Sequence, residues 1–308
     1  MEFSIFIFIK LIALFSLVGL GFIARRYVEI DRISIAKLVL YIIAPIVFFN
    51  AIGKIKPELS LFLLPLITAL ISSIIAFSVF YAVKYRFDDS NRAILAFASS
   101  NSNVGYFLLP IVWEIFDEVS AGIFVVMVIG NNIYENTVGF FIASRGQFSA
   151  KESLMKIIKL PTLYAMILGS TISLVDQLSI PEIFNDMLLS VRGAYSTLGM
   201  MMIGIGLADI KEYRLDFKFI GASLIIKFLL WPLMALAFIA IDKIFIHAYD
   251  PVVYKMLILF SAAPLAANNI VIATVLDLHP EKVATSVALS TIFALLYVPL
   301  IIMIFELA

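Results

Sequence analysis

Residues 96–110 read AFASSNSNVGYFLLP and residues 259–269 read LFSAAPLAANN. The first stretch sets Ser99, Ser100, Asn101, Ser102, Asn103 and Gly105, then Pro110, inside an otherwise apolar run. The second sets Ser261, Pro264, Asn268 and Asn269 in a similar run. Side-chain amides and broken backbone are costly in hydrocarbon unless they face protein or a wet cavity. Sliding the chain by 163 residues lays 96–106 on 259–269 and Tyr134 on Tyr297. Identities are few, so the shared placement of polar breaks carries the comparison. Proline has no N–H to give to the residue four before it, so Pro110 and Pro264 are expected to free the carbonyls of Tyr106 and Phe260 and to break their helices. Two broken apolar helices at equivalent places point to a binding site at the membrane midplane. The competing reading is a pair of packing kinks, with Asn bridging helices and Gly permitting close approach; it must then hold twice.

The rest of the chain fits a membrane protein. Of 308 residues, 63% are hydrophobic and 14% charged, and the mean hydropathy is +1.07. Soluble domains run about 45–50% apolar and about 25% charged. Apolar stretches of spanning length fall near 3–24, 34–52, 60–83, 93–116 and 119–143, then 157–175, 192–209, 217–241, 253–276 and 283–306. The first has no basic flank before it and ends in Ala24-Arg25-Arg26, so it reads as a retained helix rather than a cleaved signal. Fifteen of the 22 basic residues lie in connections after odd-numbered spans or at the span edges beside them, and five in or beside connections after even ones, with Lys10 and Lys227 deeper inside spans. That bias puts the odd loops in the cytoplasm and both termini outside. The polar, basic run 144–156 is expected to be a cytoplasmic linker between a first five-helix repeat, 1–143, and a second, 157–308. Because five is odd, the halves must lie in opposite senses, the inverted-repeat plan of many transporters. The expected fold is therefore an all-α membrane protein of ten transmembrane helices in two inverted repeats, with spans four and nine broken.

With two His and no Cys, no thiolate or His-cluster metal site can be built. Basic residues are scattered and balanced by 22 acidic ones, which argues against a nucleic-acid partner. In span five, IGNNIYENTVG places Asn132, Glu135 and Asn136 on one helical face. An intramembrane carboxylate such as Glu135 reads by default as a proton carrier or cation ligand; a salt bridge to Lys10 or Lys227 is the plainer alternative. Each of those lysines is read first as snorkelling to an interface and second as a group for a substrate carboxylate. Glu114, Asp117 and Glu118 read as solvated cap charges, Asp88 and Asp89 as solvated loop charges, and Trp113 and Trp231 as interfacial anchors. His247 and His279 fall in loops. Met200, Met201 and Met202 read as packed or lipid-facing, and Gly204 and Gly206 as a close helix crossing. Half-helices beyond the two breaks would aim N-terminal N–H groups, equivalent to roughly half a positive charge each, at the centre and favour an anion.

These strings resemble the auxin efflux carrier family. The resemblance rests on VGLGFIARR and LVLYIIAPIVFF in spans one and two, NVGYFLLP (103–110), GNNIYENTVG (130–139), LPTLYAMILG, IGIGLA (203–208) and APLAANNIVIA (263–273), all in order. It implies a ten-helix fold similar to that of the bile-acid sodium symporters. Spans one, two, six and seven would form a scaffold, and spans three, four, five, eight, nine and ten a transport domain displaced like an elevator. Spans four and nine would cross at the substrate site. The implied substrates are organic anions, such as indole-acetate auxins or small dicarboxylates. Val104 and Leu108 depart from the frequent Thr and Gly, Glu135 stands where an apolar residue is usual, and the second broken span has no acid before Asp277. Sodium coupling of the bile-acid type is thereby weakened.

The leading expectation is a secondary transporter of a small organic carboxylate, coupled to a proton or Na+ and otherwise without a cofactor. An uncoupled uniporter or channel, or a sodium-coupled carrier, are the alternatives. Substrate-binding residues are expected to be Asn103, Gly105, Asn132, Pro264, Asn268 and Asn269; Glu135, Asn131 and Asn101 are expected at the coupling ion. An enzyme is not expected, since no HExxH, GxSxG, paired-acid cluster or membrane-depth His occurs. The expected setting is the inner (plasma) membrane, with lipid around the chain and a homodimer compatible with glycine-rich scaffold spans.

Overall fold

The computed structural model describes residues 2–56, 58–144, 155, 158–175, 181–210 and 214–307. The expected linker 144–156 therefore lies outside the described residues, save Ser144 and Met155. Among the described residues the architecture is all helical apart from one isolated antiparallel bridge. Helix α1 spans Glu2–Tyr27. Helices α2 (Arg32–Leu38) and α3 (Ala44–Ile52) are joined by a π turn, and α4 spans Leu59–Ala82. Helix α5 (Asp89–Ser100) stops, and after residues 101–103 a π turn Val104–Leu108 leads into α6 (Leu109–Ile115). Helix α7 (Glu118–Tyr134) runs through a π turn into α8 (Phe140–Ala143). Then follow α9 (Pro161–Leu174) and α10 (Asn185–Ala208), and α11 (Phe217–Ile225) with α12 (Trp231–Ile241) across the π turn Ile226–Leu230. Helix α13 (Pro251–Ser261), a gap, α14 (Asn268–Val275) and α15 (Pro280–Ile304) complete the order.

Among the described residues, five continuous stretches are long and apolar enough to cross a membrane: Arg32–Ile52, Leu59–Ala82, Glu182–Ala208, Phe217–Ile246 and Pro280–Ile304. Shorter apolar helices cover Val104–Ile115, Pro161–Leu174 and Pro251–Ser261. Their outer faces carry exposed Leu70, Ile225, Leu229, Leu296 and Phe245, an apolar surface no water-facing chain keeps.

Helix ends are set by aspartates that begin them. Asp31, Asp88, Asp117 and Asp216 each accept an N–H two or three residues on, from Ile33, Asn91, Ser120 and Phe219, which satisfies donors the helix itself cannot. Asp88 is thus a cap rather than a free loop charge, and Asp117 the cap that was expected.

Between helices, small residues let backbones touch. A Cβ on Gly204 of α10 would stand 1.9 Å from the Val18 carbonyl oxygen of α1, and one on Gly21 2.2 Å from that of Met201. The expected close crossing at Gly204 is therefore real, and its partner is α1. Met200 and Met202 are buried beside it. Deeper in, Trp231 stacks obliquely on Phe260 at 5.4 Å, and Phe260 meets Phe124 at 6.1 Å. Trp231 is fully buried and Trp113 is 8% exposed, so neither is the interfacial anchor expected of it; both serve the packed core.

Candidate functional site

Both expected interruptions exist, and they meet. Asn101 and Asn103 leave helical geometry (φ −90°, ψ 127° and φ −79°, ψ 56°), and residues 263–266 do the same between α13 and α14. Ser102 pairs antiparallel with Leu265. The Asn103 N–H donates to the Pro264 carbonyl at 2.8 Å and the Ala266 N–H to the Asn101 carbonyl at 3.2 Å. The bridged positions are 163 apart (265 minus 102), the same offset that aligned the two stretches in sequence. Each broken helix thus satisfies backbone groups that the other exposes, which is what makes non-helical backbone tolerable away from water. The Leu265 N–H is held by Ser290 Oγ at 3.2 Å.

Proline's part differs at the two breaks. Pro264 lies inside the second interruption, as expected. Pro110 does not make the first break: it lies inside the continuous helix Val104–Ile115, directly after the π turn Val104–Leu108, an irregular turn of the kind that accommodates a missing N–H. The first break is made seven to nine residues earlier by Asn101–Asn103, whose side chains compete with helical backbone for hydrogen bonds.

A cluster of amides surrounds the bridge. Asn101 Nδ2 donates to Glu135 Oε2 and to Asn269 Oδ1, both at 2.9 Å. Asn131 Nδ2 donates to Asn101 Oδ1 at 2.9 Å, and Asn131 Oδ1 accepts the Ser102 N–H at 3.1 Å. Asn269 Nδ2 reaches the Ala98 carbonyl at 3.0 Å, and Asn268 donates to Glu135 Oε1. Glu135 therefore takes one amide from each broken helix and no basic partner among the described residues, so the salt bridge to Lys10 or Lys227 does not form. Lys10 instead pairs with Glu114 at 3.2 Å, which makes Glu114 an ion-pair partner rather than a merely solvated charge.

Other expectations need correction. Asn132 is not in the cluster; the neighbouring Asn131 is, because the helical turn aims 131 at the break, while the Asn132 carbonyl accepts from Asn136 at 2.9 Å. Gly105 lies beyond the bridge, where a Cβ would meet Tyr195 Oη at 3.3 Å. Asn103 is 5% exposed and its Nδ2 has no hydrogen-bond partner among the described residues, leaving two N–H donors free beside the bridge. Lys227 does not snorkel: it is fully buried and its ammonium donates to Ser102 Oγ. The Trp231 indole N–H reaches the Ser100 carbonyl at 3.3 Å. Sequence reading left out Ser102, Ser290 and Trp231 as site elements; the available signal was Lys227 in the middle of a long apolar run. Among the described residues no metal-holding group of His, Cys, Asp or Glu occurs.

Residues 6–302 match the family described as membrane transport protein, the auxin efflux carrier family. The chain belongs to that family. No curated protein matches it. With its apolar helices and outward apolar faces, this family member is an integral membrane protein of a transporter family.

Proposed function

We propose that the chain is a secondary transporter of a small organic anion, with the paired interruptions as its substrate site. The observation that carries this reading is the buried, unpartnered Asn103 amide beside the Ser102–Leu265 bridge. A buried donor without a partner costs about 1–3 kcal/mol, and a carboxylate would supply the missing acceptor. Asn268 and Asn269 open α14, so its N-terminal dipole also favours an anion there. The common 163 offset supports two inverted five-helix repeats within a ten-span frame. Alternating access would then move the helices around the site against α1, α2, α3, α9 and α10. Both termini would lie outside the inner membrane, a homodimer would fit the glycine-rich scaffold, and no catalytic role is invoked.

Glu135 is the coupling group. An ionised Glu135 would repel a carboxylate held by neighbouring amides; a protonated one would not, so the anion and a proton bind together. Tyr106 and Tyr134 are the titratable groups within its electrostatic reach. In proteoliposomes, uptake of labelled malate, malonate or indole-3-acetate should rise when the outside is made acid relative to the lumen. Glu135→Gln should abolish that gradient dependence. No uptake of any of the three, or a gradient dependence that survives Glu135→Gln, would contradict the reading.

A further inference from the structure

Lys227 is a buried base that the coupling scheme above does not use. It sits in the π turn between α11 and α12, the kind of helical irregularity often found at functional sites. Its side chain and that of Trp231 are both fully buried, and its ammonium lies 4.7 Å from the centre of the Trp231 ring. Its hydrogen bond goes to Ser102 Oγ, the residue at the bridge itself. No carboxylate of the described residues pairs with it. A lone ammonium out of water is held at a cost unless charge of opposite sign comes to it, and the ring face compensates only part.

The bridge separates two ionisable groups, an acid and a base. Asn101 holds Glu135 and the next residue, Ser102, holds Lys227. With Glu135 ionised the junction is neutral overall. With Glu135 protonated it carries one positive charge, which matches one carboxylate.

We propose that Lys227 is the resident cation of this site. Its ammonium supplies, from within the chain, the positive charge that an anion bound at the two interruptions requires, so no sodium or other metal ion is taken up with the anion and its proton. This rests on the anion reading given above and adds the choice of ion to it. Lys227 acts through Ser102 and the bridge, as a positioning and charge-balancing residue.

The test is the melting temperature of the purified protein with malate, malonate and indole-3-acetate, in sodium chloride and in choline chloride. The wild-type protein should show the same carboxylate-induced rise in both salts. Lys227→Ala should lose the rise in both and regain it with added ethylammonium chloride, which returns the missing charge, but not with ethanol, a neutral molecule of similar size. A residue that only braced the fold would not discriminate between the two additives. A wild-type rise that requires sodium overturns this assignment alone, as does Lys227→Ala that keeps the rise unaided or is not rescued by ethylammonium. No rise in any wild-type condition overturns the anion reading and this assignment with it. Should Lys227→Ala fail to fold, the wild-type comparison of sodium with choline still decides.

Discussion

At the scale of single residues, the site is a problem of satisfying amides. Asn101 is fully buried and gives two hydrogen bonds and takes one, so Asn101→Ala strands Glu135, Asn269 and Asn131 together. Removing one partner from buried polar groups costs about 1–3 kcal/mol each, and the melting temperature of the variant should fall by several degrees. The neighbouring pair Asn131 and Asn132 gives a sharper comparison. Asn131→Ala should impair carboxylate uptake, because it releases the Ser102 N–H; Asn132→Ala should leave uptake within about twofold, since among the described residues its side chain makes no hydrogen bond to the bridge, only its carbonyl being held, by Asn136. Equal effects of the two would show that the cluster has been drawn on the wrong residue. This distinction was not legible in the sequence. Asn132, Glu135 and Asn136 share a helical face by spacing, but Asn131 and Glu135, four apart at the end of α7, share one too, and spacing alone does not say which Asn meets the break. Lys227 was legible as an intramembrane charge, but its partner Ser102 lies 125 residues away, and no local pattern joins them.

At the scale of elements, composition and period located the helices well, because twenty apolar residues in a row have few other fates. The breaks were also legible, since Asn-rich backbone inside an apolar run must find partners, and the 163 offset named those partners. What misled was proline chemistry: Pro110 looked like the breaker, yet the chain leaves the helix at residues 101–103 and Pro110 follows a π turn inside the helix Val104–Ile115. The α1–α10 crossing tests the packing account. A methyl group on Gly21 would have to displace the Met201 carbonyl, 2.2 Å away, so Gly21→Ala should separate the helices and cost roughly 1–3 kcal/mol, read as a lower melting temperature. Gly19→Ala, whose Cβ meets nothing within 4 Å, is the control and should not. The helix starts on the side assigned to the cytoplasm carry a pH dependence. Lys282 hydrogen-bonds Asp216 at 2.8 Å and holds its carboxyl below its ordinary value of 3.8, and the Asn91 N–H does the same for Asp88. A carboxyl depressed on folding stabilises the protein above its unfolded value, and that contribution fades as pH falls through the folded one. Stability in detergent should therefore drop below about pH 4, and Asp216→Asn should flatten part of that drop.

At the scale of the whole molecule, the ion pairs among the described residues distribute unevenly. At the end assigned to the outside, Lys10 of α1 pairs with Glu114 of α6 at 3.2 Å, while Glu118 of α7 receives Arg192 of α10 at 2.6 Å and Lys54 at 3.4 Å. The Lys10 and Arg192 pairs join an expected scaffold span to an expected moving one, while Lys54 lies in the connection between spans two and three. At the opposite end, Arg25–Asp209 stays within the scaffold, and Lys282–Asp216 and Arg214–Glu281 stay within the moving part. On the proposed division into scaffold and moving parts, these pairs would clasp the two together at the end expected to lie outside. Half-exposed pairs contribute only about 0–1 kcal/mol each, yet about 1.4 kcal/mol shifts a two-state population tenfold. Glu118→Gln should therefore open the outer side in a larger fraction of molecules. Since the chain has no Cys, a single Ala267→Cys beside the site can report this through labelling by a membrane-impermeant maleimide from outside. Labelling should rise severalfold in Glu118→Gln; an unchanged rate would mean that the clasp does not govern access.

The central claim is that an organic anion binds where the two interrupted helices pair. Its most direct test is isothermal titration of malate, malonate and indole-3-acetate into the purified wild-type protein and into Asn103→Ala. The account predicts saturable binding of at least one of them to the wild type, and loss of that binding in a variant that melts as the wild type does. Binding that is undiminished in a folded Asn103→Ala protein would place the substrate elsewhere and contradict it.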